Sequence, residues 1–315
     1  MAYAAGVDVG GTKILGIAVD DAGHRVGQEV RRPTPHGTEA LFDAMVGVLS
    51  ELRAQVGDIE AVGVGVPGLV DRSGRLAVGP NLPGIVDVSI RDELQARIRL
   101  PVAVDNDATC ATWAEVQLGA ARGATEALMV TLGTGIGGGV VTGGVLQRGA
   151  SGFGGEPGHM VVDPVGPPCP CGRRGCWERF ASGSGLGRLA REAAESGHGG
   201  KFLQLAGGDA DDVRGEHVTK AALEGDPAAL EVFREFGWWA ALGIANLVNV
   251  LDPKVVVVGG GLVGAGEIVM KPIRDAFPTL VLAAEHRPSV DIVAAQLGND
   301  AGAIGAALIS RDRRD

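Results

Sequence analysis

Apolar positions along this chain fall into two kinds of run, and the two kinds alternate. Short unbroken runs such as "AGVDV", "ILGIAV", "AVGVGV", "PVAVDN", "ALMVTL" and "KVVVVGG" predict strands buried on both faces. Between them stand longer segments with apolar residues three and four apart, the spacing of one helical face. These predict helices over Thr38–Val56, near Ile90–Ile98, over "ATCATWAEVQLG", and over 185–196, 217–225 and 227–250, with a last one in "GNDAGAIGAALIS". Asp226-Pro227 supplies a cap and a first-turn proline for the longest. The polar, glycine-rich "ESGHGGKFLQLAGGDADD" predicts a loop. The alternation gives an α/β protein, and 315 residues are enough for two domains. No long Ser- or Pro-rich linker separates them, so the expected boundary is a hinge near residue 108. That makes a small α/β domain of 1–108 plus 300–315, where the last helix returns, and a larger one of 109–299.

Glycine changes the picture next. With 52 glycines, chance alone gives roughly eight or nine Gly-Gly pairs, so a glycine string counts only through its context. "AGVDVGGTKILGIAVDD" is a strand, a turn at Gly10 and Gly11, and a second strand: a β-hairpin, not a strand-to-helix phosphate loop. Its tip gathers bare backbone N–H groups, the Thr12 hydroxyl and the Lys13 ammonium, a set that suits a phosphate chain. Asp8, two residues earlier, is placed to hold magnesium through water. "ALMVTLGTGIGGGVVTGG" repeats the arrangement around Thr134 and Gly135, and "EAVGVGVPGLVD" echoes it, which favours internal duplication over a repeat array. "KVVVVGGGLVGAG" spells G-x-G-x-x-G at Gly259, Gly261 and Gly264, with Glu285 about 20 residues on, the fingerprint of an NAD-dependent Rossmann oxidoreductase. Against that reading, Pro272 and Pro278 crowd the crossover helix, and the N-terminal hairpin is left without a role. The competing reading has the same strand and loop cradle the adenosine of a kinase.

Three of the four cysteines lie in "CPCGRRGCWE". Cys169, Cys171 and Cys176 form C-x-C-G-x-x-G-C, whose glycines allow the tight turns that bring three sulfurs to one ion. A tetrahedral zinc then lacks one ligand. Cys110 sits in a predicted helix and reads as a small buried side chain. His159, in "GGEPGHMVVDP", lies shortly upstream across a β-like run, so a hairpin returns it to the cluster and a Cys3His structural site results. Three cysteines packed in a core or left free are the bland alternative. The formal charge of -10 opposes a nucleic-acid partner. The first residues show no basic leader, and the longest apolar stretch, 238–251, is broken by Asn246 and Asn249, so a cytoplasmic protein without disulfides or membrane segment is expected.

Together "DVGGTK", "GVPGLVD", "NLPG", "VDNDATCATWAE", "LGTGIGGG", "GGEPGHM", "CPCGRRGCWE" and "VVVVGGGL" resemble, in order and over nearly the whole chain, the ROK family of repressors, open reading frames and sugar kinases, and within it the glucokinase branch. The resemblance implies an actin-like, hexokinase-like (ribonuclease H-like) ATPase fold of two α/β domains that use ATP and a sugar, with an inserted zinc-binding segment. Repressor members carry a helix-turn-helix ahead of the first hairpin; with seven residues before Asp8, this sequence is expected to stand outside that branch. The reaction implied is transfer of the γ-phosphoryl group of ATP to the 6-hydroxyl of glucose, a first step of glycolysis. Asp107 would be the general base, and it also stands where a helix N-cap is expected. Asp105 is the rival base; spacing does not separate the two, and the resemblance selects Asp107. Asn81, Asn106, Asp107, Glu156, His159 and Glu178 would bond the hexose hydroxyls, His159 using one ring nitrogen for zinc and the other for sugar. Gly10, Gly11, Thr12, Lys13, Thr134 and Gly135 would hold phosphates, Gly260 and Gly261 would lie near adenosine, and Mg2+ would arrive with ATP beside Asp8. Zinc would fasten the segment of Glu178 to that of Glu156 and His159. Fructose, mannose or N-acetylmannosamine as the hexose, polyphosphate as donor, and a non-enzymatic sugar sensor remain as alternatives. Family habit implies a homo-oligomer, a dimer or tetramer.

Overall fold

The computed structural model describes residues 3–312; the extreme ends of the two expected domain ranges, 1–2 and 313–315, lie outside the described residues. Compactness divides the chain into two units. The first takes the residues up to Thr125, Gly139–Gly155 and those from Gln296 on; the second takes Glu126–Gly138 and Glu156–Ala295.

In the first unit the strands are β1 (Tyr3–Val9), β2 (Lys13–Val19), β3 (Arg25–Pro33), β4 (Ile59–Val66), the short β5 (Leu69–Val70), β6 (Arg75–Val78) and β7 (Val86–Ser89), and β8 (Val102–Asn106). The helices are α1 (Thr38–Val56), α2 (Ile90–Ile98), α3 (Asp107–Gln117) and, at the end of the chain, α10 (Ala301–Arg311). A five-stranded sheet runs β3-β2-β1-β4-β8, antiparallel through the hairpins and parallel from β1 through β4 to β8, while β5-β6-β7 form a small separate sheet. The Leu41, Phe42, Met45, Val48, Leu49 and Leu52 stripe of α1 is buried in the core with β1 and β4. α10 lies on the same sheet with its backbone almost in contact: a Cβ on Gly6 or Gly63 would overlap the carbonyl of Ala303 or Ala306. Gly305 of α10 stands equally close to the carbonyl of Cys110 on α3.

That close packing places α3 with the first sheet, whereas the sequence put a hinge near residue 108. Glu115 adds to it. Its buried carboxylate accepts from the N–H groups of Gln296 and Leu297 through one oxygen and of Ala120 through the other, at 2.7–2.9 Å, tying the end of α3 to the segment that enters α10. Hydrophobic periodicity carries no trace of contacts made by glycine backbones and a buried carboxylate.

The other sheet, β11-β10-β9-β12-β13, repeats the first in order. Its strands are β9 (Ala127–Leu132), β10 (Ile136–Thr142), β11 (Val145–Gln147), β12 (Val255–Gly259) and β13 (Asp291–Ala294); β9, β12 and β13 are parallel, and β10 and β11 form an antiparallel hairpin. The helices of the second unit are α4 (Glu178–Ala181), α5 (Gly183–Glu195), α6 (Gly200–Leu205), α7 (Gly215–Leu223), α8 (Pro227–Leu251) and α9 (Glu267–Leu280). α8 begins as expected, the Asp226 side chain accepting from Ala229 N–H at 2.9 Å. The expected loop after α5 contains α6, which forms because Phe202 is fully buried. α9 runs through both Pro272 and Pro278, contrary to the crowding argument, with Pro272 packed closely on Gly237 of α8. The glycine string does lie between β12 and α9, with β13 returning parallel to β12, but Glu285 falls on a turn before β13 begins, so the acidic residue of the dinucleotide fingerprint is missing from the strand end. Among the described residues no helix is long and apolar enough to cross a membrane.

Candidate active site

In the first unit the β1-β2 hairpin ends in a rigid tip. Gly10 N–H donates to the Lys13 carbonyl at 2.8 Å, and Thr34 closes the turn from outside, its hydroxyl to Gly10 O at 2.6 Å and its N–H to Thr12 O at 3.1 Å. Thr12 and Lys13 stay exposed, while Gly11 faces Asn81 so closely that a Cβ would lie 3.1 Å from its carbonyl oxygen. Asp8 stands at the base of the hairpin. Asp8 and Asp107 flank Gly65, whose Cβ would sit 3.7 Å from Asp8 Oδ1 and 3.4 Å from Asp107 Cα. Desolvation, then the charge of Asp107, pushes the Asp8 carboxyl up to about 7 against the pull of Lys13. Burial likewise holds Asp107 above the usual carboxylate range.

The end of β8 distributes its duties differently from the sequence expectation. The cap of α3 is Asn106, whose Oδ1 accepts from Thr109 N–H at 3.0 Å and whose Nδ2 donates to Gly68 O at 3.2 Å. Asp107 is the first helical residue, its Oδ1 accepting from Ala108 N–H at 2.8 Å, and among the described residues it has no ion-pair partner. Asp105 is buried, accepting from Arg148 Nε at 2.5 Å and from Asn106 N–H at 2.9 Å. Cys110 is fully buried, as expected of a core thiol, and burial raises its pKa well above the ordinary value.

In the second unit Thr134 and Gly135 form the turn between β9 and β10. Gly133 N–H donates to Gly135 O at 3.0 Å, Gly183 N–H to Gly133 O at 2.7 Å and the Ser184 hydroxyl to Thr134 O at 3.2 Å. Glu178, the first residue of α4, accepts from Ile136 N–H at 3.1 Å, and its carboxylate fills the space a Cβ on Gly135 would need. Gly260, at φ +87°, packs on the backbone of Leu132, and Gly261 opens an exposed 3-10 turn, Gly261–Ala265. Glu156 precedes another 3-10 turn, Pro157–His159, seated on β10 through Pro157 against Gly138 and Gly158 against the Ile136 carbonyl.

The chain then returns as the cysteine spacing requires. Val161 bridges Cys176 in antiparallel fashion, Trp177 N–H donates to Met160 O at 2.7 Å, and Cys169 N–H donates to Arg173 O at 2.8 Å. Trp177 is the anchor of this segment, fully buried against Gly243 of α8 with its indole N–H on Trp239 O at 2.7 Å. One ligand atom each from His159, Cys169, Cys171 and Cys176 lies within 4.8 Å of the others. Cys171 and Cys176 sulfurs are 3.6 Å apart, and Cys169 Sγ is 3.9 Å from His159 Nδ1. A tetrahedron with metal–sulfur bonds of about 2.3 Å has edges of about 3.7 Å, so the four residues fit a zinc ion. The Arg173 N–H pulls the Cys171 thiol down to about 6, whereas burial pushes Cys176 up to about 12 and raises Cys169.

The structure therefore brings Asp8 near Asp107 and Gly11 against Asn81 in the first unit, and in the second Gly135 against Glu178 and His159 to Cys169, Cys171 and Cys176, while Gly260 packs on Leu132. Sequence reasoning missed Arg148, Arg72 and Trp177; a lone arginine in a glycine loop and a tryptophan inside a cysteine motif announce no partner.

The ROK family profile matches residues 4–313. The chain is 39% identical to the glucokinase of Streptomyces coelicolor over 99% of this chain and 98% of that one, and 36% identical to the glucokinase of Thermotoga maritima over 98% and 97%. Among solved structures it is similar to a ROK family glucokinase from Streptomyces griseus in complex with glucose and AMPPNP, with 39% identity, a TM-score of 0.86, and coverage of 98% of this chain and 99% of that one. This chain belongs to the ROK family.

Proposed function

We propose that the protein is a glucokinase, transferring the γ-phosphoryl group of ATP to the 6-hydroxyl of glucose. The observation that carries the reading is the division of the two carboxylates at the end of β8. Asp105 is neutralised by Arg148, while Asp107 keeps its carboxylate free of any cation among the described residues, with its pKa raised by burial. A carboxyl shifted upward is the better proton acceptor, and a loose phosphoryl-transfer transition state asks for that proton late. Asp107 thus takes the hydroxyl proton as the oxygen attacks phosphorus in line. Asn81, Asn106, Glu156, His159 and Glu178 bond the sugar, and the backbone N–H groups around Gly10–Lys13 and Thr134–Gly135 bind phosphates, with Gly260 and Gly261 toward adenosine.

Magnesium bound with the nucleotide offsets phosphate charge, and Asp8, a carboxyl that burial would otherwise keep protonated near neutral pH, fits an outer-shell anchor for it. Zinc on His159 Nδ1, Cys169, Cys171 and Cys176 is structural, fixing Glu178 and the Glu156–His159 turn on otherwise irregular backbone. A cytoplasmic homo-oligomer, dimer or tetramer, completes the reading.

A coupled assay across glucose, fructose, mannose and N-acetylmannosamine, with ATP or polyphosphate, tests it. Glucose-dependent ADP formation, lowered about two to four orders of magnitude by Asp107→Asn with the fold retained, is the expected result. Another hexose with the higher kcat/KM reassigns the substrate, and no hexose-dependent ADP release at all rejects the kinase.

A further inference from the structure

We propose that Asp105 and Arg148 act as a positioning pair for the base, fixing the backbone from which Asp107 projects and joining it to the loop that runs into Glu156. The inference rests on Asp107 being the base. Both side chains of the pair are largely buried, at 7% and 14% exposure. Desolvating two charges costs about as much as their attraction returns, so such a pair is a poor source of stability and a good source of orientation. Its bonds run toward the site. The same Asp105 carboxylate that receives Arg148 also receives Asn106 N–H, the amide just ahead of Asp107. Asn106 in turn caps α3 and reaches Gly68. The strand-to-helix turn that presents Asp107 is thereby held from the charged side chain outward.

Arg148 is equally well placed at its other end. It opens a loop closed by Gly154 N–H on the Arg148 carbonyl at 2.9 Å. Arg72 clamps that loop, its Nε and Nη2 donating to Gly149 O at 3.0 and 2.7 Å and its N–H to Ser151 O at 3.3 Å. Gly149, Gly152 and Gly155 all have positive φ, a backbone that glycine adopts without strain and other residues do not. Glu156 is the next residue. One guanidinium therefore joins the turn bearing the base to the start of the 148–155 loop within the first unit.

The test is steady-state kinetics of Arg148→Met, Arg148→Lys, Asp105→Asn and the double variant Asp105→Asn/Arg148→Met, beside Asp107→Asn, at a temperature where circular dichroism shows each folded. Each of Arg148→Met and Asp105→Asn is expected to lower kcat about ten- to a hundredfold, as a misplacement of the order of 1 Å does, with KM for ATP within about twofold of wild type. The double variant should be no slower than the worse single one, because the two residues act as a unit. Arg148→Lys, which keeps the charge, should recover part of the loss, and it carries the test if the methionine variant does not fold. Wild-type kcat in Arg148→Lys and Asp105→Asn alongside an inactive Asp107→Asn would overturn the pair and leave the base in place. Additive losses in the double variant would also overturn it. Near-normal turnover by Asp107→Asn would instead remove the base on which the inference rests.

Discussion

Replacing Asp8 with Asn separates what that carboxylate costs the fold from what it does for the reaction. Desolvation and the neighbouring Asp107 lift Asp8 from 3.8 to about 7. A rise of that size penalises the ionised form by roughly 4 kcal/mol, and the partial exposure of Asp8 reduces this to about 2–4 kcal/mol. The folded-state pKa lies above the unfolded one, so between pH of about 4 and 7 the folded chain holds a proton that the unfolded chain has lost. The penalty is absent below that window, grows by about 1.4 kcal/mol per pH unit across it, and is complete above it. Urea denaturation of the ligand-free protein should therefore find Asp8→Asn nearly as stable as wild type at about pH 4.5. At about pH 8 the variant should be more stable by up to the full amount. The same variant should lose about ten- to a hundredfold in kcat/KM for magnesium–ATP, since a neutral amide is a weak partner for hydrated magnesium. Equal urea midpoints for the two proteins at about pH 8, with no change in their difference on acidification, would refute the desolvation argument.

Cys171→Ser should abolish metal binding, read by elemental analysis of the purified protein, and raise KM for the hexose more than KM for ATP; active wild-type protein free of zinc would end the structural-metal account. Gly135→Ala places a methyl group where the Glu178 carboxylate lies, so the bond to Ile136 N–H must break. It should lower kcat/KM for both substrates by about tenfold or more, and a variant with wild-type constants would show that Glu178 is free to move aside. Gly305→Ala, which forces apart α3 and α10, should cost at least about 1–3 kcal/mol in urea denaturation while leaving the metal content unchanged.

What could be read from the sequence divides along a physical line. Elements driven by burial of a periodic apolar face appeared with nearly correct bounds: α1 and α2 match their expected ranges, and α8 starts at the proline after Asp226. The two glycine hairpins and the return of the cysteine segment were legible too, because glycine strings and the cysteine spacing restrict backbone geometry wherever they occur. Contacts between those pieces were not. The cap of α3 passed from Asp107 to Asn106 because both side chains suit a cap and only the local φ and ψ choose between them. α6 was hidden because one buried phenylalanine among glycines leaves no periodic signal. Whether Asp105 or Asp107 is unpaired depends on an arginine some forty residues away, and nothing in either local sequence encodes that distance.

The acidic groups of the first unit follow from one constraint. Asp8, Asp105 and Asp107 all lie close enough to the buried Cys110 thiol for their charge to raise its pKa, and Asp8 and Asp107 flank Gly65, so each charge there disfavours the others. Arg148 pairs with Asp105, while Lys13 acts on Asp8 only through its charge. That pairing leaves Asp107 raised by burial and Asp8 raised to about 7, where it would lose its proton on meeting a cation. Had the arginine paired with Asp107, the base proposed there would have been weakened by its own counter-ion. On the proposed assignment the compensating charge of Arg148 thus stands on Asp105 and not on the base, and Asp107 keeps its affinity for a proton.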